Sequence, residues 1–252
     1  MNDPWLYGMS LRKNRSKALP TKGEKELLFN GTNQRIDIIN SNNVGSIFDF
    51  GNTNPFTLAG KIITQSTASQ LIFDKRNSFA PFVGYYIELT IKNSRLALWL
   101  VFRQSDGSSF ALETTTLNIM LNMPYFFVIG YNGSGGIFLD VYDSRGLLLP
   151  SGGAGSGALN GAASINNVGK LVIGANYNSV LPFKGYIGTP CVFNIALNPT
   201  QRAELALAMI NNAVGGHSLY NSNCVAHWEN FPYSGEVLNR KNSNYNGLLI
   251  NF

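Results

Sequence analysis

From Glu26 onward the chain alternates a short β-forming run with a tight turn, at a spacing that leaves little room for helices. The runs 27–29, 35–39, 56–63, 70–74, 85–91, 95–102, 125–131, 136–142 and 170–174 are rich in β-branched and aromatic residues. Between them stand Asn30-Gly31, Asn93-Ser94, Asp106-Gly107, Asn132-Gly133 and Ser144-Arg145-Gly146, residues that accept positive φ or close an Asx turn. Turns this short return the chain beside itself, so the pattern predicts hairpins. With 31 Asn, 26 Gly and 10 Pro the punctuation is too frequent for a helical bundle. The chain is 44% hydrophobic and 13% charged over 252 residues, enough apolar material for one core or two small ones, and too little charge for a disordered chain. Apolar alternation is imperfect in 138–142 and lost in 126–129, as expected of central strands covered on both faces. Two packed antiparallel sheets are the economical arrangement.

One helix is predicted after Asn198, an N-cap residue, with Pro199 in first position, 200–212 following, and Leu205, Met209 and Ile210 as its packing stripe. Gly215-Gly216 ends it. Residues 150–169, dense in Gly, Ser and Ala, read as a flexible inter-strand loop. No stretch reaches the roughly 20 apolar residues of a membrane span, and residues 1–25 lack the apolar run of a secretory signal.

Charge is unevenly placed: residues 1–25 carry +4 of the chain's net +5, mainly through Arg12, Lys13, Arg15 and Lys17. The same segment holds Trp5, Tyr7 and Leu11, which have no reason to remain in water. The charge suits nucleic acid, an acidic membrane surface or the acidic face of a partner protein, and a docking segment accounts for both features better than a solvated tail. A first strand folding onto the body is the alternative.

Several segments in order carry a resemblance. Residues 27–38, 55–62, 123–135 with 137–142, 170–175, and 183–188 with 192–197 and the helix resemble successive strands of laminin-G-like modules in the concanavalin A-like lectin/glucanase superfamily. This implies an all-β, antiparallel jelly-roll β-sandwich with one short helix near the C-terminal end of the core. The domain plan is an arm at 1–25, a jelly roll at 26–216, and a segment at 217–252 that completes or extends the sandwich. Two departures stand out. Tyr125-Phe126 replaces the Trp-His that often opens the family's central hairpin. Residues 224–230 and 242–251 resemble a strand and turn that usually precede such a module, yet here they come last.

The superfamily includes glycan-cleaving enzymes, and retaining members need paired carboxylates about 5 Å apart. No Glu-x-Asp-x-Glu run occurs. Asp140 and Asp143 are three apart, on opposite faces of an ideal strand, and Asp143 suits the turn after it. No nucleophile motif accompanies the two histidines, His217 and His227. Cys191, His217, Cys224 and His227 have a zinc-like composition, but Cys224 and His227 point to opposite faces if both lie on one strand. Buried thiols and a strand histidine are the simpler reading, with a Cys191–Cys224 disulfide compatible. The acids near predicted loops form no dense cluster for calcium. The reading is therefore no cofactor, no metal and no catalytic residue.

A sugar site needs an aromatic face and directional hydrogen bonds. Asn176, Tyr177 and Asn178 combine both in one loop, and Arg76 and Trp99 can join them from nearby strands. For Trp99, flanked by Leu98, Leu100 and Val101, packing is the competing role. The expected function is non-enzymatic: a virion structural or surface-recognition protein, such as a spike, fibre tip or decoration, with a lectin-like domain for host-surface glycan. Virion proteins reach the outside by lysis, which fits a recognition module without an export signal. The expected partners are other virion proteins through the arm and copies of the chain itself, not nucleic acid. An exported, cell-surface bacterial adhesin module and a glycan hydrolase are the alternatives.

Overall fold

The structure, a computed structural model, describes residues 26–43, 45–151, 154–156, 163–229, 231–232 and 235–252. The arm residues Trp5, Tyr7, Leu11, Arg12, Lys13, Arg15 and Lys17 lie outside the described residues. In chain order the elements are β1 (Glu26–Asn30), β2 (Arg35–Ile38), β3 (Phe56–Thr64), β4 (Gln70–Arg76), β5 (Gly84–Lys92), β6 (Arg95–Arg103) and β7 (Ser109–Glu113). Then come β8 (Tyr125–Tyr131), β9 (Ile137–Tyr142), β10 (Ala154–Ser156), β11 (Val172–Ile173), β12 (Lys184–Phe193) and α1 (Pro199–Ile210). The chain finishes with α2 (Tyr220–Asn223), β13 (Cys224–His227), β14 (Glu236–Val237) and β15 (Gly247–Ile250).

The strands form two antiparallel sheets, a jelly-roll sandwich. The six-stranded sheet runs β1-β12-β3-β8-β9, with β13 also on β12; the nine-stranded sheet runs β10-β7-β6-β5-β4-β11-β2-β15-β14. Turn chemistry sets the hairpin registers. Asn93 and Ser94 take φ of 48° and 64°, the doubly left-handed turn whose twist matches paired strands, and Lys92 faces Arg95 across it.

Inner faces meet in one core, where Phe29, Phe56, Phe127 and Ile129 pack with Phe73, Tyr85, Leu98 and Phe102. A second cluster lies on the far side of the six-stranded sheet, where α1 sets Leu205, Ala206 and Met209 against Ala59, Phe126, Val128 and Phe193. β8 is thus buried on both faces, which explains its lost alternation. The start of α1 is fixed by reciprocal bonds, Gln201 N donating to Asn198 Oδ1 at 3.0 Å and Asn198 N to Gln201 Oε1 at 2.9 Å. Among the described residues no such helix lies over the outer face of the nine-stranded sheet. Among the described residues that face carries a small apolar cluster of Leu71, Tyr86 and Val101, with Trp99, Ala111 and Leu181 against it.

Three local features differ from what the sequence predicts. The two closing runs near 183–197 are one strand, β12, whose register against β3 shifts between Gly188 and Cys191; Thr189, at φ 45°, and Pro190 sit in that irregularity, where a proline costs no ladder bond. Ala154–Ser156, inside the segment read as a loop, pairs with β7. Cys224 and His227 share a face, because a register shift against β12 pairs Cys224 with Phe193 and His227 with Cys191.

The C-terminal residues enter both sheets. β13 pairs with β12 beyond the stretch occupied by β1, and β15 pairs with β2. Trp228, next after β13, enters the core 6.0 Å from Phe48 in a stacked arrangement, with Nε1 donating to the Tyr245 carbonyl at 3.0 Å. Among the described residues no helix is long and apolar enough to cross a membrane.

Candidate functional site

The face of the nine-stranded sheet that no described helix covers is where a polar site can form without disturbing the core. Arg76 of β4, Gly84 of β5 and Arg103 of β6 are cross-strand partners in one row, so their side-chain positions share a face. Glycine in the middle leaves the sheet bare between the two guanidinium groups. Nothing larger fits there: Gly84 has φ 135°, and a Cβ would stand 1.9 Å from the Lys75 carbonyl oxygen. One row further, Asp74 faces Tyr86.

Two loops wall this row. Residues 77–83, connecting β4 to β5, bring Asn77, Ser78 and Phe82; the loop after β11 brings Asn176, Tyr177 and Asn178. Together with Asp74, Arg76 and Arg103 they line a pocket of about 330 Å³. Asn176 Oδ1 accepts from the backbone N–H of Asn178 at 3.0 Å and of Val180 at 2.7 Å. That oxygen is occupied in holding the turn, which leaves Tyr177 and Asn178 exposed at the rim. Tyr177 is 48% exposed and Phe82 46%, so each offers ring surface to a ligand. Arg35 Cζ and Lys170 Nζ stand 5.7 Å and 5.5 Å from the Tyr177 ring centroid, both also paired with Asp37 at 2.8 Å and 3.5 Å.

The charged groups in the pocket divide into two kinds. Arg76 donates through Nε and Nη2 to the two oxygens of Asp74, each at 2.7 Å, and lies 3.9 Å from the Tyr86 ring centroid. Burial raises the Asp74 carboxyl above its ordinary value, with Arg76 opposing the rise. Burial also works against the Arg76 charge, but the Asp74 bonds hold that group above its ordinary value. These two residues satisfy each other. Arg103 does not share in this: its Nε is buried without a hydrogen-bond partner, as is Oδ1 of Asn77.

Of the residues singled out in the sequence, Arg76, Asn176, Tyr177 and Asn178 come together in the pocket. Trp99 stands on the same face but not in the lining; its ring packs beside Tyr86 and Val101 and is capped by Lys92 Nζ at 3.7 Å from the centroid. Asn77, Phe82 and Arg103 escape the sequence reading. No local signal marks them, since cross-strand register and a loop's fold bring them to one place.

Other chemically active side chains are committed elsewhere. Asp140 accepts from Arg202 Nε of α1 at 2.6 Å. Asp143 Oδ1 closes a turn by accepting from Arg145 N and Leu147 N at 2.9 Å and 3.0 Å. Cys191 and Cys224 are free, buried thiols; burial pushes both up, Cys224 to about 12. His217 is fixed by the Gln201 carbonyl at Nε2 and by Leu219 N–H at Nδ1, at 3.0 Å and 3.2 Å. Among the described residues no three of His, Cys, Asp and Glu gather at metal-binding distance.

No family model and no curated protein sequence matches the chain. Solved structures do. A native heptameric SAP-like pentraxin from Limulus polyphemus is 16% identical, with a TM-score of 0.50 over 75% of this chain and 84% of that one. A Bacteroides ovatus protein provisionally described as carbohydrate-binding is 15% identical, with a TM-score of 0.54 over 91% of this chain and 59% of that one. Domains LG4-5 of the mouse laminin α1 chain align at 13% identity and a TM-score of 0.45, over 73% and 45%. At these identities the likeness is one of fold, and the chain is an antiparallel jelly-roll β-sandwich.

Proposed function

We propose that this chain is a non-catalytic glycan-recognition protein whose saccharide site is the pocket between loops 77–83 and 176–178. The observation that carries this reading is the convergence of exposed Tyr177 and Phe82 with the unpartnered polar atoms Asn77 Oδ1 and Arg103 Nε. Sugar rings bind through their C–H faces to aromatics and through hydroxyls to fixed donors and acceptors. The pocket supplies both: two exposed rings, and in Asn77 and Arg103 polar atoms that no described residue satisfies. Asp74 is the single carboxylate in the lining, and it is clamped by Arg76, which suits binding better than paired-acid hydrolysis. The lectin-like fold adds support by analogy alone.

The test is titration of the purified chain against a panel of neutral, carboxylated and sulfated polysaccharides. Binding of at least one class is expected, weakened about tenfold or more by Tyr177→Ala with thermal unfolding unchanged. Failure of every class to bind, or binding indifferent to Tyr177→Ala, overturns the site. The setting we propose is a virion surface, with residues 1–25 as the attachment arm, because they concentrate +4 of the net +5 beside Trp5, Tyr7 and Leu11. Purified particles should contain the chain, and a form lacking residues 1–25 should fail to incorporate; normal incorporation would remove the arm's assignment.

A further inference from the structure

Resting on the glycan-binding reading above, we infer that the saccharide carries a carboxylate, and that Arg103 is the residue that reads it. Three ionised side chains line the pocket, Asp74, Arg76 and Arg103, and the first two are closed on each other in a bidentate pair. Among the described residues Arg103 has no ion pair and no side-chain hydrogen bond, and its Nε is withdrawn from water. A guanidinium cannot relieve that cost by losing its proton, as a lysine can. It needs an anion, and its planar fork of N–H donors matches the two in-plane oxygens of a carboxylate.

The surroundings favour the same chemistry. With Asp74 and Arg76 cancelling, the lining is left one positive charge in excess, and the Arg35, Lys170 and Asp37 group beside Tyr177 adds another. Strand spacing places Arg76 and Arg103 about 10 Å apart at their backbones, with bare Gly84 between them. That opening admits a pyranose edge to the sheet. Asn77 is nine-tenths buried and its unpartnered Oδ1 requires a donor. A uronic or nonulosonic acid offers a carboxylate and a hydroxyl on one ring, which answers Arg103 and Asn77 together. A neutral sugar leaves the Arg103 charge uncompensated and carries a binding penalty for it.

The experiment uses the full chain, titrated calorimetrically with polygalacturonate, alginate and polysialic acid oligomers, with the same oligomers after carboxyl reduction, and with dextran sulfate and neutral mannan. A carboxylated oligomer is expected to bind, with a loss of tenfold to a hundredfold on carboxyl reduction. Arg103→Gln should produce a similar loss on the carboxylated form and little change on the reduced form. Its unfolding temperature should stay at the parent's, since no described partner is broken, and Arg103→Lys should recover part of the affinity. Equal binding of native and reduced oligomers, abolished by Tyr177→Ala but untouched by Arg103→Gln, overturns the carboxylate inference and leaves the glycan site standing. Binding of dextran sulfate equal to that of the uronates also removes the carboxylate assignment. Silence across the panel removes both.

Discussion

Glu88 illustrates how a single residue on the exposed sheet face couples pH to stability. It lies only 8% exposed, opposite Trp99 and Leu71, and burial raises its carboxyl above the ordinary 4.5, opposed by hydrogen bonds from Ser69 and Thr90 and by the Arg76 and Lys92 charges. The folded chain therefore holds this proton more firmly than the unfolded chain. Its contribution to stability is fully present below 4.5 and is lost as pH rises through the raised folded value. Glu88→Gln should accordingly raise the unfolding temperature at pH 7, and this advantage over the parent should shrink toward pH 4. Paired melts at the two pH values check the sign; a variant less stable than the parent at pH 7 contradicts it. Side-chain roles at this scale are only partly legible in the sequence. Asn176, Tyr177 and Asn178 are readable because turn-forming amides flanking an aromatic advertise an exposed loop. Arg103 is not: in 95–103 it looks like the polar end of an apolar strand, and only its register with Gly84 and Arg76 gives it a site.

At the scale of elements, strands with strong β composition are readable to within a residue or two, as in β3, β5, β6 and β8. Weak or interrupted ones are not. β7 alternates correctly, with Phe110 and Leu112 inward, but its five residues include Ala and Glu and are too few for the period to stand out. β12 hides behind Gly188-Thr189-Pro190, which reads as a turn and is an irregularity within a continuing strand. β13 owes its importance to the tryptophan at its end: Trp228 is fully buried against Phe48 and bonded to the Tyr245 carbonyl, so the last part of the chain supplies side chains to the common core. Trp228→Ala should cost about 3–5 kcal/mol, from lost burial plus a cavity that the surrounding sheets cannot close. Denaturant unfolding measures this, and a loss under about 1 kcal/mol would show that the site collapses around the gap.

For the molecule as a whole, the two outer faces are unlike, and the glycan recognition proposed above falls on the one that no described helix covers. α1 packs against one face, while the other carries Arg103 and the exposed rings of Tyr177 and Phe82 around Gly84. A further consequence lies in β12, whose outer edge is shared first by β1 and then by β13, while the rings of Phe29 and Phe252 meet at 5.3 Å. The described fold is therefore nearly a closed circle, in which neighbourhood matters more than the order of synthesis. That is how motifs met last along the sequence can sit beside the first strand. A circular permutant beginning at Ser94, running to Phe252, crossing a flexible linker of about six to eight residues to Glu26 and ending at Asn93 would keep every strand beside its present partner. It should fold with an unfolding temperature within about 10 °C of the parent, the opened hairpin accounting for the difference. An aggregated or unfolded permutant would mean that the connection between β5 and β6 guides assembly in a way that strand adjacency alone does not replace.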